Sequence, residues 1–299
     1  MSAIHRNPSA LMGIGLVISA VASFALIDTI NKHVSLYVPL LMVVWARYAV
    51  QAVLTTFIVL PKVGRQAWRT NHLSLQVIRG TLLVALSVLA VATLKVFPVA
   101  EFTAILMTTP LFVTFFAATM LKEKVTVWRV LLVIGGFIGT LVIVRPGQTE
   151  LGWVLLLPLG IVIINTAFQL LTKRMSETEH SMTTHFYSVW VGAIVASLAL
   201  AWIWTPVSDP TLWALLFLAG VAGTVGHYLL IKAYEHAPAS LLMPYMYTQI
   251  GFALLGGWLA FGNIPDNTSL LGIALITVCG VAGGALTVIE KRQSKRRMA

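Results

Sequence analysis

The sequence predicts an all-α membrane protein: ten transmembrane helices in two inverted five-helix repeats, with both termini in the cytoplasm. Three observations lead there. Of 299 residues, 58% are apolar and only 10% are charged, against about 45–50% and about 25% in an ordinary soluble domain. Such a chain lacks the polar surface to cover a water-facing fold. The apolar residues fall in ten unbroken runs, not in the short alternating segments of a β-barrel. The basic residues behind the net charge of +10 gather in alternate connections, the pattern of the positive-inside rule.

In chain order the runs are Leu11–Ile30, Leu40–Leu60, Leu75–Val96, Ala100–Leu121 and Val127–Val144, then Gly152–Thr172, Met182–Trp204, Leu212–Ala233, Leu241–Phe261 and Leu270–Ile289. Each is bounded by charge, proline or glycine. At about 20 residues per span, ten spans take about 200 residues and leave roughly 90 for connections and tails. That leaves no room for an attached soluble catalytic domain. The first run carries Ala20-Val21-Ala22-Ser23, loosely like a cleavage site, but continues unbroken through Phe24–Ile30. It reads as an uncleaved first helix.

Sorting the cations orients the chain. With the N-terminus inside, the cytoplasmic segments hold Arg6; Lys62, Arg65 and Arg69; Lys122, Lys124 and Arg129; Lys173 and Arg174; Lys232; and Lys291, Arg292, Lys295, Arg296 and Arg297. The opposite segments hold only Lys32, Lys95 and Arg145. The basic tail is then a topological anchor, and nucleic acid is not an expected partner. Trp128, Trp153, Trp202, Trp204, Trp213 and Trp258 lie near run ends, where an interfacial belt belongs. The single cysteine, Cys279, excludes a disulfide framework and a Cys-based metal site.

The two halves, residues 1–147 and 148–299, resemble each other in order. Asn31-Lys32 closes the first run and Thr172-Lys173 the sixth; Trp45 and Trp190 sit inside the second and seventh. Pro98-Val99-Ala100 and Pro238-Ala239-Ser240 precede the fourth and ninth. Gly135 and Gly139 mark the fifth run, and Gly280 and Gly284 the tenth. Five spans per half is an odd number, so the second half is inverted. Inverted repeats are a recurring architecture of secondary transporters, with the substrate site near the midplane between the halves. Glycines four apart let another helix approach closely; they pack the fifth run on the tenth or form a homodimer face, leaving monomer and homodimer both open.

Energy-coupling and hydrolytic motifs are absent: there is no Gly-x4-Gly-Lys-[Ser/Thr] and no His-Glu-x2-His. No enzyme, cofactor or metal site is expected. Ionisable residues inside spans are costly and therefore functional candidates. Asp28 and Arg47 lie toward the same end of the first and second runs, where they either lock two helices as an ion pair or bind a substrate carboxylate and gate that side. Glu101 starts the fourth run and is expected to be solvated.

Uncharged polar residues extend the candidate set. Asn165 and Gln169 are four apart and share a helix face, as do Tyr245 and Gln249. His227 follows Gly220 and Gly223; Thr108 with Thr109 and Pro110 interrupts the fourth run, and Pro244 the ninth. A proline kinks a helix and frees a carbonyl, and broken backbone is tolerated where it is buried or lines a wet cavity. Each amide or tyrosine could equally make an ordinary interhelical hydrogen bond; as a group they suggest a central polar-aromatic cavity.

These residues match a family. Phe24-Ala25-Leu26-Ile27-Asp28-Thr29-Ile30-Asn31-Lys32, followed by Val44-Trp45-Ala46-Arg47-Tyr48, resembles the opening of EamA-type drug/metabolite transporters. Ala104–Pro110 leading to Leu121-Lys122-Glu123-Lys124-Val125-Thr126 resembles the end of that family's repeat; the second half departs there, with Gly262-Asn263-Ile264-Pro265-Asp266. The resemblance implies a basket-like fold with spans one, three, four, six, eight and nine around the cavity. It also implies a multi-pass protein of the bacterial inner membrane, surrounded by lipid, that moves a small molecule. Within the family the chain is similar to bacterial exporters of aromatic and other neutral amino acids; an alternating-access cycle is expected, and the lack of a proton relay near the midplane of the spans points to facilitated diffusion. Another metabolite, such as a nucleotide-sugar or S-adenosylmethionine, and a non-transporting assembly subunit are the alternatives. The implied cavity residues are Asn165, Gln169, His227, Tyr245, Gln249 and Thr108.

Overall fold

A computed structural model describes residues 10–109, 111–113, 116, 126–145, 156–175, 178–236, 242 and 245–298. Its α-helices are α1 (Ala10–Val34), α2 (Leu40–Val63), α3 (Leu73–Val96), α4 (Val99–Leu106), α5 (Val127–Val144), α6 (Leu156–Met175), α7 (Ser181–Ile203), α8 (Pro210–His236), α9 (Thr248–Phe261) and α10 (Asn267–Met298). No strand occurs among the described residues. Five helices, α1, α2, α3, α8 and α10, are long and apolar enough to cross a bilayer, and five other apolar helices are shorter. Pro110, Pro244 and the Glu123-Lys124 turn lie outside the described residues.

Two of the short helices have a visible cause. The backbone leaves α-helical form at Met107 and Thr108, after α4, and at Tyr247, before α9. Residues 111–113 and 245–246 continue as helix on the far side of each break. α4 and α9 pack on each other, so the two interruptions meet inside the bundle. Tyr247 Oη donates to the Met107 carbonyl at 3.1 Å, supplying a partner to a group that the break exposes.

Around this centre α1 lies on α8 and α9, α2 on α7 and α8, α3 on α6 and α7, and α5 on α10. The largest apolar cluster joins α2, α3, α7 and α8 through Met42, Tyr48, Val84, Val189 and Leu216. Apolar side chains also cover the outside, with Phe57, Leu198 and Trp202 each more than 60% exposed. Both faces of these helices are oily, which suits lipid outside and a packed core within. Trp45 Nε1 donates to Ser197 Oγ and Trp190 Nε1 to Thr56 Oγ1, both at 3.0 Å. The α2–α7 crossing is thereby pinned twice, reciprocally.

Polar ties close both ends. At the end where α1, α3, α5 and α9 finish, Lys32 Nζ donates to the carbonyls of Leu94 and Phe97, each at 2.8 Å. A cation at the C-terminus of α3 also complements that helix's dipole. Arg145, the left-handed C-cap of α5, bonds the Asp266 carboxylate. Asp266 in turn accepts from Ser269 N at 2.8 Å, capping α10. At the opposite end Glu179 Oε1 accepts from Asn71 N and His72 N at 2.8 and 3.1 Å, serving unpaired amides at the start of α3.

Two expectations are corrected here. Glu101 is 5% exposed, not solvated, because every residue from Val99 to Ile105 is buried. α4 runs through the interior, so its first turn carries no water-facing side.

The second correction concerns the glycines. Gly139 and Gly272 bring α5 and α10 together: a Cβ on Gly272 would lie 2.8 Å from the Gly139 carbonyl oxygen and 2.6 Å from Ile143 Cγ1. Gly135 lies against Cys279 Sγ. The first-half pair therefore packs on α10 as expected, but its partners there are Gly272, Ile276 and Cys279 rather than Gly280 and Gly284. Gly280 faces the Tyr247 ring instead of α5. One turn on, Gly283 and not Gly284 faces Leu111 of the α4 continuation and Leu132 of α5, at 3.0 and 3.9 Å from a Cβ built on it. Gly284, half-buried, is turned about 100° from that face by the 3.6-residue helical repeat.

Gly272→Val is therefore expected to cost about 1–3 kcal/mol through overpacking, read as a lower thermal midpoint in detergent. Gly251→Ala, with open space around it, should leave the midpoint unchanged. Arg145 beside Asp266 holds that carboxyl well below the usual carboxylate range. The stabilisation is thus present above the unfolded-state pKa of about 4 and is withdrawn as pH falls through the depressed folded value. Comparing the wild type with Asp266→Asn across pH checks the sign: their difference in midpoint should be largest near neutrality and vanish in strong acid.

Candidate functional site

The interior polar groups form three neighbouring sets. In the first, Gln249 at the start of α9 donates from Nε2 to Asp28 Oδ2 on α1, at 3.5 Å. Arg47 on α2 reaches α3, where Nη2 donates to Ser87 Oγ at 2.5 Å. Ser87 Oγ lies 2.9 Å from Tyr48 Oη and itself donates to the Leu83 carbonyl at 2.8 Å. With its only proton committed there, Ser87 accepts from both Arg47 and Tyr48. Asp28 and Arg47 do not make the direct ion pair their sequence positions suggest. Arg47 turns along its own helix onto the Tyr48 ring, 5.2 Å away, while Asp28 faces α9.

The second set flanks the meeting of the broken helices. Asn165 Nδ2 on α6 donates to Thr109 Oγ1 at 3.2 Å. Gln169 Nε2 donates to Asn165 Oδ1 at 3.5 Å, so the two amides do share a face. Thr108 is buried and bonds back to the Ile105 carbonyl at 2.6 Å. Tyr245 is not in this set. The turn at Tyr247 breaks the four-residue register with Gln249, and Tyr245 packs with Val17, Val21 and Leu242 instead. Tyr247 occupies the interior, with Gly280 leaving the space its ring fills.

The third set lies toward the Glu179 end. His227 on α8 stacks 5.0 Å from Phe24 and 5.5 Å from His185 on α7. His185 Nε2 is 3.5 Å from Thr55 Oγ1 on α2. Arg79 on α3 donates from Nε to Thr172 Oγ1 at 2.7 Å, and from Nη1 to Ser188 Oγ and, at 3.4 Å, the Thr184 carbonyl. Its guanidinium lies 4.5 Å from the Phe168 ring centre. Arg79 was not singled out in the sequence, although the rule that selects Arg47, a charge inside an apolar run, selects it equally.

Asp28, Arg47, Arg79, Gln169, His185 and His227 each keep part of their surface uncovered inside the helix bundle. They are therefore not sealed into a dry core. Beside them a groove of about 380 Å³ opens between the α4 continuation, α5 and α6; Phe112, Phe116, Phe137 and Ile163 wall it and Thr108 lies at its base. Among the described residues no three His, Cys, Asp or Glu side chains gather to hold a metal. Hydrogen-bond donors, two guanidinium groups and aromatic faces suit this lining to binding a small polar molecule.

The model of the EamA-like transporter family matches residues 11–145 and again 152–283. The chain is 29% identical over 297 residues to a riboflavin transporter of Vibrio cholerae, covering 98% of each chain. It is 34% identical over 219 residues to a riboflavin transporter of Rhizobium johnstonii, covering 73% of this chain and 72% of that one. An S-adenosylmethionine uptake transporter of Rickettsia bellii is 26% identical over 268 residues, 89% of this chain and 90% of that one. A solved crystal structure at 16% identity matches the fold with a TM-score of 0.65, over 94% of this chain and 99% of that one.

The junction of the broken helices sets an order of effects. Tyr247→Phe should cost about 0.6 kcal/mol, the average for a hydrogen bond within a membrane. Gly280→Ala should cost more, since the added methyl overlaps the Tyr247 ring. Thermal midpoints check the ranking. Combining Gly280→Ala with Tyr247→Ala should be no worse than Tyr247→Ala alone, because the ring that clashes is gone.

Proposed function

The chain belongs to the EamA-like transporter family, and from that premise we propose that it carries a flavin-type vitamin, an uncharged heteroaromatic ring system with a polyol chain, across the bacterial inner membrane. The observation that carries the choice is the charge of the lining. Among the described residues two guanidinium groups, Arg47 and Arg79, stand with the Asp28 carboxylate among amides and hydroxyls, while the buried Glu101 carboxylate lies apart from them at the Lys32 end. A cationic cargo such as S-adenosylmethionine would meet net repulsion at membrane depth, where charge interactions are poorly screened. A neutral ring edge with alternating donors and acceptors instead suits Gln249, Asn165 and Gln169. The riboflavin transporters matched over most of both chains support the same cargo.

The cycle is alternating access by two five-helix halves, residues 1–147 and 148–299, related by inversion. Several observations support this reading. The family model matches twice, the fourth and ninth helices are both broken, and Trp45 and Trp190 make reciprocal bonds across α2 and α7. Packing of α3 on α7 is likewise mirrored by that of α8 on α2. The distribution of lysine and arginine supports cytoplasmic termini, which puts the Glu179 end inside. In this reading transport runs down the gradient of the cargo.

Export of aromatic amino acids is the second reading. One observation favours it: Asp28 and Arg47 offer unlike charges to an ammonium and a carboxylate. Purified protein in proteoliposomes distinguishes the two. Riboflavin should enter with or without an imposed proton gradient, and tryptophan should neither enter nor compete. Gln249→Ala and Asn165→Ala should each weaken riboflavin binding about two- to tenfold, the worth of one hydrogen bond. Tryptophan uptake that riboflavin does not inhibit would reverse the assignment.

A further inference from the structure

Arg79 has a role that binding a neutral cargo leaves unexplained. Its bonded acceptors are neutral: the hydroxyls of Thr172 and Ser188 and the carbonyl of Thr184. Among the described residues no carboxylate pairs with it. Glu179, toward the same end of the bundle, is committed to the amides of Asn71 and His72. A cation left without a counter-charge inside a membrane protein is expensive, and a buried charge is ordinarily paired. Nη2 has no hydrogen-bond partner among the described residues, while Nε and Nη1 are held. The guanidinium is thus fixed along one edge, over the Phe168 ring, and the residue keeps part of its surface uncovered.

Two imidazoles complete the surroundings. Ser188, which Arg79 bonds, lies three residues after His185 on α7, so Arg79 and His185 approach one face of that helix. His185 stacks with His227, and among the described residues its ring nitrogens have one partner, Thr55. Each ring can present an N–H. A guanidinium with a free edge, flanked by imidazole donors, is what planar or tetrahedral oxyanions bind best, because the fork donates in parallel to two oxygens.

We propose that Arg79, with His185 and His227, forms an oxyanion site in the half of the interior toward the Glu179 end, taking a phosphate monoester or a carboxylate. The site gives Arg79 its missing counter-charge. In the flavin reading it is the place where a phosphorylated flavin binds from the cytoplasmic side. That reading supplies the choice of one probe pair; the site itself stands on the geometry of Arg79.

Ligand-dependent thermal stabilisation of the full chain in detergent tests it. The probes are inorganic phosphate and acetate against chloride at matched ionic strength, and flavin mononucleotide against riboflavin, a pair that differs by one phosphate group. The wild type should be stabilised more by phosphate or acetate than by chloride, and whichever acts identifies the anion; if phosphate acts, flavin mononucleotide should exceed riboflavin. Apparent affinity for the active anion should fall at least about tenfold in Arg79→Gln and less in Arg79→Lys, which keeps the charge and loses the fork. Wild type that responds to phosphate, acetate and chloride alike overturns the proposal, as does an undiminished response in Arg79→Gln. Should Arg79→Gln not fold, His227→Ala takes its place with the same criterion. Riboflavin binding without any anion effect removes this site alone. An Arg79-dependent anion effect without riboflavin binding removes the flavin reading and leaves the site.

Discussion

The fold is organised by the place where two interrupted helices share a junction. In hydrocarbon every backbone polar group needs a partner inside the protein, so a break in α4 can persist only if something answers the carbonyls it releases. Tyr247, itself at the break before α9, answers for Met107. Its ring needs room, and Gly280 on α10 supplies it. The next residue but one, Gln249, begins regular helix and meets Asp28; two residues after Met107, Thr109 meets Asn165. α1, α6 and α10 are all positioned against this one junction, and the polar lining follows from it.

The lining separates its charges by depth. Asp28, Gln249 and Arg47 lie toward the end capped by Lys32, whereas Arg79 and the two histidines lie toward the end closed by Glu179. The Asn165 and Gln169 amides lie on α6, the helix whose Thr172 accepts from Arg79. Arg79 is thus set apart in depth from Arg47 and from the contact of Gln249 with Asp28.

Much of this was legible in the residues. The second apolar run, Leu40–Leu60, is α2 short of one turn, and Val127–Val144 is α5 in full, because apolar length is a strong signal in lipid. The interruption at Thr108 and the shared face of Asn165 and Gln169 were equally readable, since both depend on neighbours in sequence. Partnerships between helices were not. Whether Arg47 meets Asp28 or Ser87 depends on how α2 is rotated, which no local pattern records. The same holds for Gly280 and Gly284, whose spacing marks a smooth face but not the helix that face meets. Tyr245 was placed wrongly because helical spacing was carried across a turn. Glu101 was misjudged because its depth depends on α4 being enclosed by other helices. Arg79 was readable and overlooked: a lone charge six residues into a helix carries the same warning as Arg47.

The buried Cys279 has a practical meaning. It is the single cysteine of the chain, and it sits 7% exposed in the seam of α5 and α10, against Gly135. A thiol reagent added to the folded protein therefore finds almost no native target. New cysteines placed one at a time along α1, α3, α6 or α8 would report their own water access against a nearly silent background.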